Sequence, residues 1–222
     1  MTGGMTGAKD RANTGTVSEV GTWETVDPRA IAARAAREAA DAFGQLADSP
    51  TTLEAIARAG DLLSRCLREG GKVIACGNGG SMSDAIHLAE ELTGRFRADR
   101  RALAAIALSD PGHLTCVGND LGYDEVFSRG VEALGRAGDV LVAFTTSGTS
   151  RNVLRAVDAA QLAGMDVVAI TGRIGSPVEA VATVAVVTPG GRWADRVQEM
   201  HTLVLHTLIE IVEHSLGLAG SR

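Results

Sequence analysis

Short apolar segments alternate with helical patterns from Lys72 onward, and this alternation constrains the fold more than any other feature of the chain. The apolar segments span residues 72–76, 103–108, 139–145, 166–171 and 183–187, and the helical patterns span 81–93, 124–134, 150–163, 177–181 and 193–216. Strands that alternate with helices form a parallel sheet covered on both faces. We therefore predict an α/β fold, a three-layer sandwich with a five-stranded parallel sheet flanked by helices.

Two further helices precede the sheet. Asp27-Pro28 and Ser49-Pro50 each place a capping side chain before a proline, which is the pattern of a helix start. Residues 1–26 are rich in glycine and threonine and have few apolar anchors, so we expect a disordered N-terminal tail. Residues 27–218 are predicted to form a single domain that includes the N-terminal helical segment.

The last helix is apolar around nearly its whole circumference. Its apolar residues are Val197, Met200, Leu203, Val204, Leu205, Leu208, Ile209, Ile211 and Val212. A helix of this kind is buried, and a small domain seldom buries a terminal helix so fully by itself. The pattern predicts an oligomer in which the N-terminal helices and this helix form the core between subunits.

Composition excludes several classes of protein. A formal net charge of −6 is unlike that of a protein that binds a nucleic-acid backbone, so no nucleic acid is expected as a partner. No run of 18 apolar residues and no apolar leader occur, so neither a membrane span nor secretion is predicted. The three cysteines form no C-x-x-C motif, and a cytoplasmic location follows as the default expectation.

Two loops rich in glycine and hydroxyl side chains follow strands, one over residues 77–81 and the other over 145–150. Glycines let the backbone approach an anion, hydroxyls donate to it, and a helix N-terminus adds partial positive charge. Neither loop has the lysine of a nucleotide P-loop or the full dinucleotide-binding spacing, which favours a small phosphoester. The alternative is ordinary turn chemistry, with serine or threonine as helix caps.

Two distant helical segments carry metal-ligating side chains. His87 and Glu91 are four residues apart and share one helix face, whereas Gln198 and His206 are eight apart, about two turns along another helix. Two imidazoles, a carboxylate and an amide oxygen can converge on one cation, with an acid/base pair beside it. This combination indicates an enzyme.

The motifs around these residues resemble a known family. The loop T-T-S-G-T-S at 145–150 is similar to the signature of sugar isomerase (SIS) domains, whose fold is flavodoxin-like. Four further stretches, at 76–96, 109–120, 139–148 and 194–206, resemble bacterial phosphoheptose isomerases, and the likeness runs in order from about Ala30 to Leu216. The resemblance implies an aldose–ketose isomerase that converts sedoheptulose 7-phosphate to D-glycero-D-manno-heptose 7-phosphate through an enediol, works as a homotetramer and holds one zinc ion per subunit.

The resemblance also implies roles for individual residues. Glu91 matches the catalytic base and His206 the catalytic acid. The metal ligands correspond to His87, Glu91, Gln198 and His206. The substrate and phosphate contacts correspond to Asn78, Gly79, Gly80, Ser81, Glu91, Asn119, Asp120, Thr145, Thr146, Ser147, Ser150 and Gln198.

Several alternatives stay open at this point. Asn119-Asp120 can instead form an Asx turn. If Glu91 binds the metal it is less free to act as a base, so the metal is either catalytic or regulatory. A non-catalytic SIS protein that binds a phosphosugar as a regulator, or that binds a replication initiator, would keep the same fold. An isomerase of another phosphosugar would keep the same residues.

Overall fold

The structure, a computed structural model, describes residues 26–219. The disordered tail was expected over residues 1–26, and all of it except Val26 lies outside the described residues. Helices α1 (Pro28–Ala47) and α2 (Pro50–Arg68) begin where the sequence predicts. The carboxylate of Asp27 accepts a hydrogen bond from the Arg29 amide at 3.0 Å, and the Ser49 hydroxyl accepts one from the Thr52 amide at 3.3 Å. These caps satisfy amides that a helix start leaves without partners.

Five parallel strands form one sheet, in the order β2-β1-β3-β4-β5. They are β1 (Val73–Gly77), β2 (Ala105–Ala107), β3 (Val140–Thr145), β4 (Asp166–Thr171) and β5 (Val184–Val187). This is the flavodoxin-like strand order, so the predicted fold class is confirmed. The order reverses between β1 and β3, and in such sheets ligands bind beyond the carboxyl ends of the strands at that reversal.

Helices cover both faces of the sheet. They are α3 (Gly80–Thr93), α4 (Pro111–Asp120), α5 (Ser128–Leu134), α6 (Arg151–Leu162), α7 (Pro177–Val181) and α8 (Ala194–Ser215), with a 3₁₀ turn at Tyr123–Glu125. Successive strand residues alternate between two apolar clusters, as the two-residue period of a strand requires. Val140 and Val142 face α1, α2, α3 and α8, whereas Leu141 and Ala143 face α4 to α7.

Three elements differ from the sequence-based expectation. The segment 103–108 pairs only over Ala105–Ala107, because β2 lies at the edge of the sheet. The helix expected over 124–134 is split into a 3₁₀ turn and α5. Helix α4 was not predicted, although Asp110 caps it and Pro111 opens it, because Gly112 and Gly118 obscure its helical pattern.

Most of the apolar surface of α8 is buried by contacts within one chain. Seven of the nine apolar residues named above are buried, and only Leu203 and Ile211 are half-buried. Gly60 on α2 makes the close approach of α8 possible, because a β-carbon there would lie 2.6 Å from the Ile211 side chain. The burial of α8 therefore requires no partner subunit, and the homotetramer stays a prediction. Among the described helices, none is long and apolar enough to cross a membrane.

Candidate active site

Side chains from α3 and α8 meet in a compact group. The Nε2 atoms of His87 and His206 lie 3.3 Å apart, and Nε2 of His87 lies 3.4 Å from Oε1 of Glu91. One potential ligand atom from each of the three residues lies within 4.8 Å of the other two. The two imidazole rings meet edge to face, with centroids 4.8 Å apart. The convergence of Glu91 and His206 expected from the sequence thus occurs within a single chain.

The contacts along α3 and α8 show that the two helices run side by side in the same direction. At the first turn, a β-carbon on Gly80 would lie 2.4 Å from the Gln198 side-chain amide. One turn further along, the Thr202 hydroxyl donates to the Asp84 carboxylate at 3.2 Å. The His87–His206 contact follows after that. This parallel register determines which residues of the two helices can meet.

The register keeps Gln198 away from the two histidines. Gln198 packs beside Gly80, and His87 lies seven positions after Gly80 on the helix, about 10 Å along the axis. Gln198 therefore lies near the glycine loop, as expected of a substrate contact. Among the described residues, no hydrogen bond joins its side chain to His87, Glu91 or His206, so its assignment as a metal ligand stays a prediction.

The loop after β1 is braced by a reciprocal amide pair. The Asn78 amide donates to Asn152 Oδ1 and the Asn152 amide donates to Asn78 Oδ1, both at 2.8 Å. The Tyr123 hydroxyl also donates to Asn78 Oδ1, at 3.0 Å. These bonds use both acceptor positions of the Asn78 oxygen, so its side chain ties the loop to α6. Gly79 has a φ of 56°, which its lack of a β-carbon allows, and it turns the chain into α3.

The loop after β3 is shaped partly by its own hydroxyls. Thr145 is buried and accepts a hydrogen bond from the Gly148 amide at 3.1 Å. Ser147 accepts bonds from the amide and the hydroxyl of Thr149, at 3.3 and 3.1 Å. Ser150 occupies the N-cap position of α6 without a side-chain capping bond. Turn chemistry thus accounts for Thr145 but not for Ser150.

The other predicted contacts lie on three elements. Ser81 is buried in the first turn of α3, close to the glycine loop, and Thr146 is half-buried in the loop after β3. Asn119 and Asp120 are exposed in the last turn of α4, where the Asn119 amide donates to the Asp120 carboxylate at 2.7 Å. The contact roles predicted for these residues remain predictions.

Comparisons with known proteins agree with this arrangement. Residues 37–172 match the SIS domain family profile. The chain is 50% identical over 179 residues to the phosphoheptose isomerase of Cytophaga hutchinsonii, across 81% of this chain and 94% of that protein. The Neisseria gonorrhoeae phosphoheptose isomerase structure aligns with a TM-score of 0.72 at 42% identity, over 84% of this chain and 96% of that one. The structure of a phosphoheptose isomerase from Francisella tularensis aligns with a TM-score of 0.79 at 34% identity, over 85% of this chain and 100% of that one.

The chain belongs to the phosphoheptose isomerase family of SIS domain proteins. Membership confirms the prediction of an isomerase enzyme, and it supports a phosphosugar as the class of substrate. The His87–Glu91–His206 group can hold a metal ion, as the sequence predicts for these three residues.

The environment of His206 disfavours the protonated form of its imidazole. Burial, and then the neighbouring His87, lower the pKa of His206, and the Glu91 carboxylate opposes them only partly. A neutral imidazole can bind a metal or donate a single N–H hydrogen bond. The Phe96 ring lies 5.6 Å from the His206 ring and restricts solvent on that side. Sequence reasoning did not select Phe96, although it ends the first of the family-like stretches.

A buried acid and a buried histidine lie beneath the group. Asp84 and His201 come within 4.0 Å of each other, and one Asp84 oxygen and both His201 nitrogens have no hydrogen-bond partner among the described residues. Burial raises the pKa of Asp84 to about 6 and lowers the pKa of His201 to about 4. His201 is fully buried, and its ring lies 6.2 Å from that of Phe144 on β3.

Proposed function

We propose that this protein isomerises sedoheptulose 7-phosphate to D-glycero-D-manno-heptose 7-phosphate. The observation that carries the proposal is the meeting of the Glu91 carboxylate and the two imidazoles within 4.8 Å of one another, two of them on the helix that follows the glycine loop. The relatives at 48–50% identity named phosphoheptose isomerase support the choice of a seven-carbon sugar.

The reaction moves a proton from C1 of the ketose to C2. The Glu91 carboxylate takes the C1 proton while the electron pair shifts to the C2 carbonyl oxygen, which receives a proton from the acid, His206. The resulting enediol then loses its O1 proton to His206 and regains a carbon-bound proton at C2 from Glu91. One carboxylate serves both carbon positions because they are adjacent on one face of the planar intermediate.

The donor set of the three side chains suits zinc. Two imidazole nitrogens and a carboxylate oxygen, from His87, His206 and Glu91, lie within 4.8 Å of one another, and zinc in catalytic sites favours such nitrogen and oxygen ligands. When bound, zinc would act as a Lewis acid that polarises the sugar carbonyl. Glu91 has two carboxylate oxygens, so one can face the cation while the other handles the proton.

An assay on sedoheptulose 7-phosphate, before and after chelator treatment, tests the proposal. We expect Glu91→Gln and His206→Ala each to lower turnover at least about 100-fold, since each removes a proton-transfer group. Glu90→Gln is the matched control, because Glu90 lies 3.9 Å from His87 but its side chain is 62% exposed. Metal content measured on His87→Ala should fall below one zinc per chain. Wild-type activity in Glu91→Gln would reject the assignment of the base, and full activity in a zinc-free preparation would reject a catalytic metal.

A further inference from the structure

A cationic cleft lies beside the loop after β3. It has a volume of about 250 Å³ and is lined by Thr146 and Ser147 from that loop, by Arg173 after β4, and by Arg192 and Trp193 before α8. No carboxylate is among its lining residues. A cleft with two guanidinium groups in a chain of net charge −6 is a local site for an anion.

The backbone holds the two sides of the cleft together. The Gly172 amide donates to the Thr146 carbonyl at 3.3 Å, which fixes the loop after β4 against the loop after β3. A β-carbon on Gly172 would lie 2.5 Å from the Val197 side chain and 3.1 Å from the Thr146 carbonyl oxygen. Glycine therefore keeps this wall close, and Arg173 follows it directly.

Both arginines are available to a ligand. Among residues 26–219, neither Arg173 nor Arg192 forms an ion pair with an acidic side chain. Arg192 lies over the Trp193 ring, 4.8 Å from its centroid, which orients the planar guanidinium and leaves its edge free to donate. The neighbouring Arg196 differs, because Glu199 and Asp195 engage it.

The two predicted phosphate loops lack positive side chains of their own. Residues 77–81 and 145–150 supply hydroxyls and backbone amides but no lysine or arginine. A phosphate dianion is held most strongly by charge-assisted, bidentate contacts from arginine. We propose that Arg173 and Arg192 bind the phosphate group of the sugar substrate, together with Ser147 and Thr146. This inference rests on the proposed function and adds two specificity-determining residues to it.

The test measures the affinity for inorganic phosphate and the kinetics with sedoheptulose 7-phosphate for Arg173→Gln, Arg192→Gln and the double variant. We expect each single change to raise the phosphate dissociation constant and the KM about tenfold, with kcat within about twofold, because uniform binding is lost. Arg58→Gln is the matched control, since Arg58 is an exposed arginine of α2 that does not line the cleft. Both arginines are exposed, so the fold should persist, which circular dichroism checks.

The outcomes separate this inference from the proposed function. If the double variant binds phosphate like Arg58→Gln, or if phosphate inhibits isomerisation without competing with the sugar phosphate, the inference is overturned. Competitive inhibition that weakens in the arginine variants supports it. If the wild-type protein binds phosphate through these arginines yet does not act on sedoheptulose 7-phosphate, the proposed substrate fails while the phosphate site stands.

Discussion

Arg100 joins the end of α3 to α8 through a buried ion pair, and its replacement should strongly destabilise the protein. Its side chain is only 1% exposed and that of Glu213 is 4% exposed, and Arg100 Nε donates to Glu213 at 2.7 Å. Four more hydrogen bonds run from its guanidinium to backbone carbonyls, including one of 2.6 Å to that of Glu91. The same side chain therefore caps α3 and holds the backbone of the proposed base.

Arg100→Met removes all five donors and leaves the Glu213 carboxylate buried without a counter-ion. Removing one partner of a buried pair costs about 3–5 kcal/mol. A domain of this size loses roughly 2–4 °C in Tm for each kcal/mol, so we expect a fall of roughly 6–20 °C. Chemical denaturation at a fixed protein concentration measures the effect, because any oligomer makes stability depend on concentration.

Two variants test the reasoning. Arg129→Met is the control, since Arg129 and Glu132 form an exposed pair whose loss should cost about 1 kcal/mol or less. The double variant Arg100→Met/Glu213→Met should recover part of the loss, because no charge is then stranded in the interior. A single Arg100→Met variant as stable as Arg129→Met, or a double variant less stable than the single one, would refute the argument.

Two further predictions concern the α3–α8 contact. Gly80→Ala should displace the flexible Gln198 side chain, whose amide would lie 2.4 Å from the new β-carbon. The variant should have a higher KM and lose about 1 kcal/mol of stability or less. In a double-mutant cycle, adding Gly80→Ala to Gln198→Ala should not raise KM further, and additive effects on KM would contradict the contact. Asp84→Asn should be more stable than wild type at pH 7.5, by up to about 3 kcal/mol, because burial raises the pKa of Asp84 from 3.8 to about 6 and ionisation then costs stability. Because the pKa is raised, the stability that protonated Asp84 contributes is fully present below pH 3.8 and is lost as the pH rises through about 6. The free energies of unfolding of the wild type and of Asp84→Asn, measured by urea titration, should therefore converge as the pH is lowered from 6 to 4. A difference that does not change with pH would contradict the assignment.

Local patterns predicted the secondary structure well because they report short-range physics. Proline after a capping residue marked the starts of α1 and α2, and apolar runs marked all five strands. The same reasoning missed α4, since Gly112 and Gly118 lower helix propensity and only packing against the sheet offsets it. The division of 124–134 into two elements was equally invisible, because it arises where Val126 and Phe127 enter the core.

The candidate site was only partly predictable. His87 and Glu91 could be paired from sequence, because residues four apart on a helix share a face. That Asn78 is engaged by Asn152 and Tyr123 could not be read from sequence, since these residues lie 74 and 45 positions away. The arginines of the cationic cleft carry no motif at all. Arg173 lies beside the loop of Ser147 because β3 and β4 are neighbours in the sheet, whereas Arg192 arrives from the segment between β5 and α8.

By itself, the sequence determined the alternation of strands and helices, the helix face shared by His87 and Glu91, and the family to which the chain belongs. These follow from fixed periods of the backbone and from long motifs in a constant order. Only the tertiary structure decided that α3 and α8 run in parallel, which brings His206 to His87 and leaves Gln198 beside Gly80. The register between two packed helices depends on how side chains from distant segments fit together, and no local pattern along the chain encodes that fit.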